Sequence, residues 1–143
     1  MLDDLTNLQA LLKDSTLLAT RGYIAGEWCD GENGKTFPVF NPARGDVITD
    51  VADISRTQTA EAISIAERAQ KLWAARPAKE RSNLLRNWYN LMMENQEDLA
   101  TILTAEQGKP IEEAKGEIAY GASFIEFFAE EAKRVYGETI PGH

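Results

Sequence analysis

Apolar and polar residues alternate along the first third of the chain, a pattern that is typical of β-strands. Two such runs, residues 23–28 and 36–40, flank a turn signal at 30–34, so we expect a β-hairpin between them. Residues 47–54 have the composition of a third strand. Pro38 has no backbone N–H, which predicts that its strand lies at a sheet edge or is interrupted.

From Ser55 onward the apolar residues recur every three to four positions, which predicts about four helices. Ser55 with Gln58 three residues later has the capping-box pattern, and Thr57 is an alternative N-cap. Pro77 lies near the start of the second helix, and the last helix is predicted over residues 111–136. The predicted apolar stripes are Ala62, Ile63, Ala66, Ala69, Leu72 and Trp73; Leu84, Leu85, Trp88, Leu91 and Met92; Leu99, Ile102 and Leu103; and Ala114, Ile118, Ala122, Ile125, Ala129, Ala132 and Val135.

Strands followed by helices indicate an α+β segment, with a helical extension at 1–20, strands at 21–54 and helices at 55–143. The extension has leucines spaced for one helix face, namely Leu2, Leu5, Leu8, Leu11 and Leu12. Small residues in the last helix, including Gly116 and Gly121, predict that another backbone packs closely there. Three short strands are few for so many apolar helix faces, so we expect that partner elements lie outside these residues.

Composition narrows the classes of function. The 143 residues include 15 Lys and Arg against 23 Asp and Glu, a net charge of -8 that disfavours nucleic acid and anionic membranes as partners. No apolar run has the length of a membrane span, and the acidic first residues do not resemble a signal peptide. Cys29 is the single cysteine, which suits a reducing compartment. These features predict a soluble, cytoplasmic protein.

Gly108 and Lys109 invite comparison with a phosphate-binding loop. A Walker loop requires Gly-x-x-x-x-Gly-Lys and then Ser or Thr, but Leu103 and Pro110 occupy the first and last of these positions. A left-handed glycine that ends one helix, with a proline that starts the next, explains the same residues. The chain also has no Gly-x-Gly-x-x-Gly sequence, so the Rossmann fingerprint is absent.

Nucleophilic and metal chemistry have few candidates. Cys29 follows a tryptophan at a strand end, and the single histidine is His143, the last residue. A small buried hydrophobe is the usual role of such a cysteine, with a reactive thiol as the alternative. One cysteine and one histidine do not make a zinc site. The residues by themselves specify no reaction, and we predict no catalytic residue among them.

Several short motifs occur in order along nearly the whole chain. They are Tyr23-Ile24-Ala25-Gly26-Glu27-Trp28, Phe40-Asn41-Pro42-Ala43, Ala78-Lys79-Glu80-Arg81, Leu84-Leu85-Arg86-Asn87-Trp88, Leu91-Met92-Met93, Glu106-Gln107-Gly108-Lys109-Pro110, Glu113-Ala114-Lys115-Gly116-Glu117-Ile118, Phe127-Phe128-Ala129-Glu130-Glu131-Ala132 and Thr139-Ile140-Pro141-Gly142-His143. Together they closely resemble the amino-terminal part of aldehyde dehydrogenases. The stretch from Glu106 to Ile118 resembles the succinate-semialdehyde dehydrogenases among them.

The resemblance implies that the chain is the amino-terminal part of a Rossmann-like NAD(P)-binding domain. It implies a parent enzyme of 4-aminobutyrate degradation that oxidises succinate semialdehyde to succinate with NAD or NADP. In such enzymes a cysteine thiolate attacks the aldehyde, a hydride leaves the thiohemiacetal and the thioester is hydrolysed. The expected partners are the remainder of the chain and further copies, as a dimer or tetramer. The family's catalytic and cofactor-binding residues would lie downstream, and Cys29 does not match the family nucleophile, so this chain alone is expected to be inactive and to bind no cofactor.

Two sets of residues are carried over from the family. Tyr120 and Phe124 match the wall of the substrate tunnel, and core aromatics at helical spacing are the alternative. Main-chain oxygens of Val39 or Phe40 and the carboxylate of Glu106 match a monovalent-cation site. The family has aspartate where this chain has Glu106.

Two other functions fit the residues. A stand-alone interaction module derived from the same fold would bury its exposed apolar helix faces by self-association. An unrelated α+β binding domain would require that the series of motifs is coincidental.

Overall fold

The computed structural model describes residues 7–142, and the strands within it form two separate antiparallel pairs. The strands are β1 (Gly22–Ile24), β2 (Glu27–Cys29), β3 (Thr36–Phe40) and β4 (Val47–Ala52). β1 pairs with β2, and β3 pairs with β4. Each pair is a two-stranded sheet, so β3 with its Pro38 is an edge strand, as predicted.

The predicted hairpin between residues 23–28 and 36–40 is wrong. Residues 23–28 are themselves a hairpin, because Ala25 and Gly26 take φ values of 57° and 88° and reverse the chain between β1 and β2. A two-residue turn with positive φ at both positions matches the twist of the strands that it joins. Residues 30–34, where the sequence has its stronger turn signal, contain a short 3₁₀ segment and connect the two sheets.

Helices make up most of the remaining chain, and the predicted α+β class is confirmed. They are α1 (Leu8–Leu11), α2 (Arg56–Ala74), α3 (Ala78–Glu94), α4 (Gln96–Gln107) and α5 (Ile111–Glu131). Ser55 is the N-cap of α2, and Ser55 and Gln58 form the complete capping box. α5 ends at Glu131, before the predicted limit at residue 136, and Val135 beyond it is 81% exposed.

A bundle of α3, α4 and α5 contains most of the tertiary packing, since α3 and α4 both pack against α5. Ala114, Ala122 and Ala129 lie on the inner face of α5 and are fully buried, as the predicted stripe requires. Among residues 7–142 no large side chain is fully buried. The bundle therefore depends on close approach of small side chains more than on burial of large ones.

Charged side chains connect the bundle across its surface. Arg86 on α3 donates to Glu126 at 2.6 Å and to Glu130 at 2.8 Å, both on α5. Lys115 on α5 pairs with Glu97 on α4 at 2.9 Å. Hydrogen bonds from Lys133 and then Arg86 lower the pKa of Glu130 below its ordinary value.

Several predicted apolar faces are not covered within the described part of the chain. α2 has the predicted helical stripe but buries no residue. Leu84, Trp88 and Leu91 of α3 are 45%, 56% and 57% exposed. The close backbone contact predicted at Gly116 and Gly121 is not met by any described residue, because a Cβ at either position would have nothing within 4 Å.

The amino-terminal extension contains only short helical segments where it is described. α1 has a single turn, followed by a 3₁₀ segment at Ser15–Leu17. Leu8 and Leu12 are buried and Leu11 is 45% exposed, while Leu2 and Leu5 lie outside the described residues. Of the helices between residues 7 and 142, none has both the length and the apolar character of a membrane span.

Candidate functional site

The end of α4 lies against the turn that connects β3 and β4. Gly108 has φ 71° and ψ 13°, and its N–H donates to the carbonyl of Thr104 at 2.9 Å. A Cβ added at Gly108 would lie 3.2 Å from Cγ of Pro42. The left-handed glycine therefore ends the helix and also allows the Asn41-Pro42 turn to approach, which confirms the prediction of a helix break.

Groups in the loop between α4 and α5 are engaged in local contacts. The N–H of Gly108 is used within α4, Lys109 forms an ion pair with Glu117, and Pro110 has no N–H. Wrapping a phosphate requires several free amides that point to one place. The loop between α4 and α5 is therefore a connection between helices, as predicted.

The turn after β3 is held by its own hydrogen bonds. Asn41 is 3% exposed, its Oδ1 accepts from the N–H of Ala43 at 2.9 Å, and its carbonyl accepts from the N–H of Gly45 at 2.7 Å. Arg44 donates twice to the carboxylate of Asp46, and these bonds lower the pKa of Asp46. The turn is thus a preorganised unit that presents Pro42 to α4.

The residues predicted to hold a monovalent cation come from the two sides of this junction. Val39 and Phe40 lie opposite a β-bulge, in which Ile48 of β4 is the residue left out of the ladder. Glu106 precedes Gly108 by two residues and is exposed. Among residues 7–142 no three His, Cys, Asp or Glu side chains cluster as metal ligands, so main-chain oxygens would have to supply the other donors.

A cavity of about 440 Å³ lies at the junction. Its lining consists of Asn41, Ala43, Thr104, Gly108, Lys109, Pro110 and Ile111. Oγ1 of Thr104 is buried and has no hydrogen-bond partner in the described part of the chain. A buried hydroxyl without a partner is costly.

Tyr120 and Phe124 lie together on the outer face of α5. Their rings make an edge-to-face contact at 4.9 Å, and the residues are 65% and 48% exposed. A cavity of about 520 Å³ is lined by Tyr120, Ser123, Phe124, Phe127 and Phe128. Phe127 and Phe128 follow Tyr120 by seven and eight positions, a spacing that places them on the same helix face, but they are not among the residues predicted from the sequence.

Cys29 lies away from these two cavities, at the end of β2. Its thiol donates to the carbonyl of Glu27 at 3.5 Å, and the residue is partly exposed. A reactive thiol is activated by a neighbouring base or cation. His143 lies outside the described residues, so the predicted lack of a Cys29–His143 pair stays a prediction.

Comparison with known families identifies the chain. The model of the aldehyde dehydrogenase family matches residues 28–143, which is most of the sequence. The chain belongs to the aldehyde dehydrogenase family. The family predicted from the sequence motifs is therefore confirmed.

Curated aldehyde dehydrogenases and solved structures match this chain closely. Glutarate-semialdehyde dehydrogenase of Pseudomonas putida is 58% identical over 132 residues, which are 92% of this chain and 28% of the relative. Succinate-semialdehyde dehydrogenase [NADP(+)] of Escherichia coli is 56% identical over 92% of this chain and 27% of the relative. A crystal structure of an NADP-dependent enzyme from Escherichia coli superposes with a TM-score of 0.88 at 56% identity, over 92% of this chain and 27% of that one.

This aldehyde dehydrogenase chain thus spans 27–28% of the length of the relatives that it matches. The similarity extends through the Asn41-Pro42 turn, the Gly108 junction and the aromatic face of α5.

Proposed function

We propose that this chain is the amino-terminal part of the cofactor-binding domain of an enzyme that oxidises succinate semialdehyde to succinate with NAD or NADP. The observation that carries the proposal is 56–58% identity, over 92% of the chain, with enzymes named for succinate and glutarate semialdehyde. Both compounds carry an aldehyde at one end and a carboxylate at the other. The substrate class is therefore a short aldehyde with a distal carboxylate.

We also propose that these 143 residues have no activity by themselves. Cys29 has only a main-chain carbonyl as its hydrogen-bond partner in the described part of the chain, which is not the environment of an activated nucleophile. Aldehyde oxidation in the family implied by the motifs needs a thiolate, a base and a bound nicotinamide. These groups would come from residues that follow the matched segment in its longer relatives. A cytoplasmic location stays a prediction from the single cysteine.

A test of the substrate class compares aldehydes that differ at the distal end. We expect the native-length protein to turn over succinate semialdehyde and glutarate semialdehyde with a kcat/KM at least about a hundredfold above that for butanal. Butanal has the carbon number of succinate semialdehyde without its carboxylate, and a lost charge-assisted contact has this magnitude. Equal kcat/KM for succinate semialdehyde and butanal would contradict the proposed substrate.

Tyr120 and Phe124 are proposed to line the substrate passage. In support, both rings are exposed on α5 and share an open cavity with Phe127 and Phe128. Phe124→Ala and Tyr120→Ala are expected to raise KM for succinate semialdehyde several-fold with a smaller change in kcat, because they remove contact with bound substrate. Tyr136→Ala, at a residue that is 82% exposed beyond α5, is the control and should leave KM unchanged. If the two rings are instead core aromatics, the same substitutions would lower the free energy of unfolding and leave KM unchanged.

Val39, Phe40 and Glu106 are proposed to bind a monovalent cation. In support, the β4 bulge lies opposite Val39 and Phe40, Pro42 contacts Gly108 two residues after Glu106, and oxygen donors suit Na⁺ or K⁺. The cation would tie the β3 turn to the end of α4. Glu106→Gln should abolish a rise in thermal midpoint on addition of K⁺ or Na⁺, and an equal rise in the variant would argue against the site.

Self-association is the second candidate function, favoured by the exposed apolar residues of α2, α3 and α5. Tyr120, Phe127 and Phe128 alone are 65%, 57% and 58% exposed. Large exposed apolar patches rarely persist on monomers. Light scattering and a turnover assay separate the two candidates. A native-length enzyme is expected to be a dimer or tetramer. An interaction module would self-associate as the isolated 143-residue chain and would show no turnover at any length.

A further inference from the structure

A buried carboxylate connects the amino-terminal residues to the helical bundle. Asp98, in the first turn of α4, is 5% exposed. Its Oδ1 accepts from the N–H of Lys13 at 3.1 Å, and its Oδ2 accepts from the N–H of Asp14 at 2.8 Å. Both oxygens are thus used for backbone groups that lie 85 and 84 residues earlier in the chain. Hydrogen bonds to an ionised acceptor are stronger than neutral ones.

Apolar contacts accompany this anchor. α1 packs against α4, and Leu8 and Leu12 are 4% and 8% exposed. They are the two most deeply buried large aliphatic side chains in the described part of the chain. A segment that buries two leucines and two backbone amides on one helix has a specific docking position rather than a loose association.

The residues that follow have a looser environment. Residues 18–21 connect this segment to β1, and they line a cavity of about 320 Å³ with Thr16 and Trp28. The next backbone bond to another element is from the N–H of Ala52 to the carbonyl of Thr20 at 2.8 Å. The docked segment therefore ends before a fixed point, with a short connection beside a cavity between them.

We propose that residues 7–17 form a strap that Asp98 fastens to the first turn of α4 and that opens and closes as a unit. Residues 18 and 19, which lie between the strap and the bond at Thr20, are the hinge. Opening breaks the two bonds to Asp98, exposes Leu8 and Leu12, and leaves the packing of α3 and α4 on α5 in place. The strap is a conformational device that covers or uncovers the amino-terminal end of α4, and it is independent of the proposed substrate.

Hydrogen exchange with mass spectrometry on the native-length protein tests the strap. In Asp98→Asn one acceptor becomes an NH₂ group that faces an N–H, and the charge is lost. Peptides covering residues 7–17 should then exchange about tenfold or more faster, while peptides from α3 and α5 keep their rates. Asp50→Asn is the matched control, because Asp50 is exposed on β4 and its carboxylate accepts no hydrogen bond in the described part of the chain.

Two results would overturn the proposal. Unchanged exchange in residues 7–17 of Asp98→Asn would mean that the carboxylate does not hold the strap. Equal acceleration in the strap, α3 and α5 would mean that the segment is not a separate unit. The unsubstituted protein gives a second measurement: with low denaturant, the strap should exchange before the bundle, and a single common exchange step would also contradict the proposal.

Discussion

Gly108 meets two constraints that a side chain would violate. Its φ of 71° lies in the left-handed region, and Pro42 Cγ lies 3.2 Å from the place where a Cβ would stand. The first constraint is common to helix ends, whereas the second comes from the approach of the β3–β4 turn. The two can be separated by comparison with Gly45, which has φ 78° and nothing within 4 Å.

Gly108→Ala should therefore cost more than Gly45→Ala. We expect a loss of about 2 kcal/mol in the free energy of unfolding for Gly108→Ala and about 1 kcal/mol for Gly45→Ala, since left-handed alanine costs about 1 kcal/mol. Denaturant titration of both variants measures the difference. Equal losses would show that the contact with Pro42 contributes nothing.

Local residue chemistry was readable from the sequence where it depends on neighbours in the chain. Gly108 before Lys109-Pro110 and the Ser55–Gln58 box were both predicted because helix ends are specified within a few residues. The turn at Ala25 was missed, because alanine rarely takes positive φ and carries no turn signal. The residues at 30–34, rich in Gly, Asn and Asp, gave a stronger signal for the wrong connection.

At the scale of elements, Gln58 does more than cap α2. Its Oε1 accepts from the N–H groups of Ser55 and Glu32 at 3.0 and 3.1 Å, and its Nε2 donates to the carbonyl of Asp30 at 3.0 Å. The side chain thus ties the loop after β2 to the start of α2. The capping pattern predicted only the bond to Ser55, since the other two partners come from a loop 26 and 28 residues away.

Gln58→Ala should destabilise the protein more than Ser55→Ala. Ser55→Ala removes one capping bond and should cost about 1 kcal/mol. Gln58→Ala removes three bonds and should cost about 2 kcal/mol, because partly exposed hydrogen bonds contribute less than buried ones. Denaturant titration measures both, with Gln70→Ala on the exposed side of α2 as the control. A smaller loss for Gln58→Ala than for Ser55→Ala would contradict the loop connection.

The contact between α3 and α5 should depend on pH through Glu130. Its pKa is lowered from 4.5 by hydrogen bonds from Lys133 and then Arg86. A carboxylate with a lowered pKa stabilises the folded state above its ordinary pKa, and this contribution is lost as pH falls through the lowered value. The difference in unfolding free energy between the unsubstituted protein and Glu130→Gln should therefore be constant at neutral pH and shrink in acid.

Denaturant titrations between about pH 7 and about pH 3 measure this difference. In Lys133→Met the stabilisation by Glu130 should be lost at a higher pH, because the substitution removes the largest cause of the lowered pKa of Glu130. A difference between the unsubstituted protein and Glu130→Gln that stays the same at every pH would show that Glu130 is not stabilised by these partners.

At the scale of the whole molecule, α5 is apolar on two faces. Its inner face buries Ala114, Ala122 and Ala129 against α3 and α4, and its outer face presents Tyr120 and Phe124. A helix that is apolar on both sides is expected to be covered on both. The helical periodicity predicted the inner face correctly. The spacing of Tyr120 and Phe124 does not indicate what covers the outer face.

The most direct test of the account measures turnover of succinate semialdehyde by two purified proteins, the native-length protein and the isolated 143-residue chain. Reduction of NAD or NADP is followed by absorbance in both. The account predicts that the native-length protein forms succinate and that the isolated chain forms none with either cofactor. Turnover by the isolated chain, or none by the native-length protein, would contradict it.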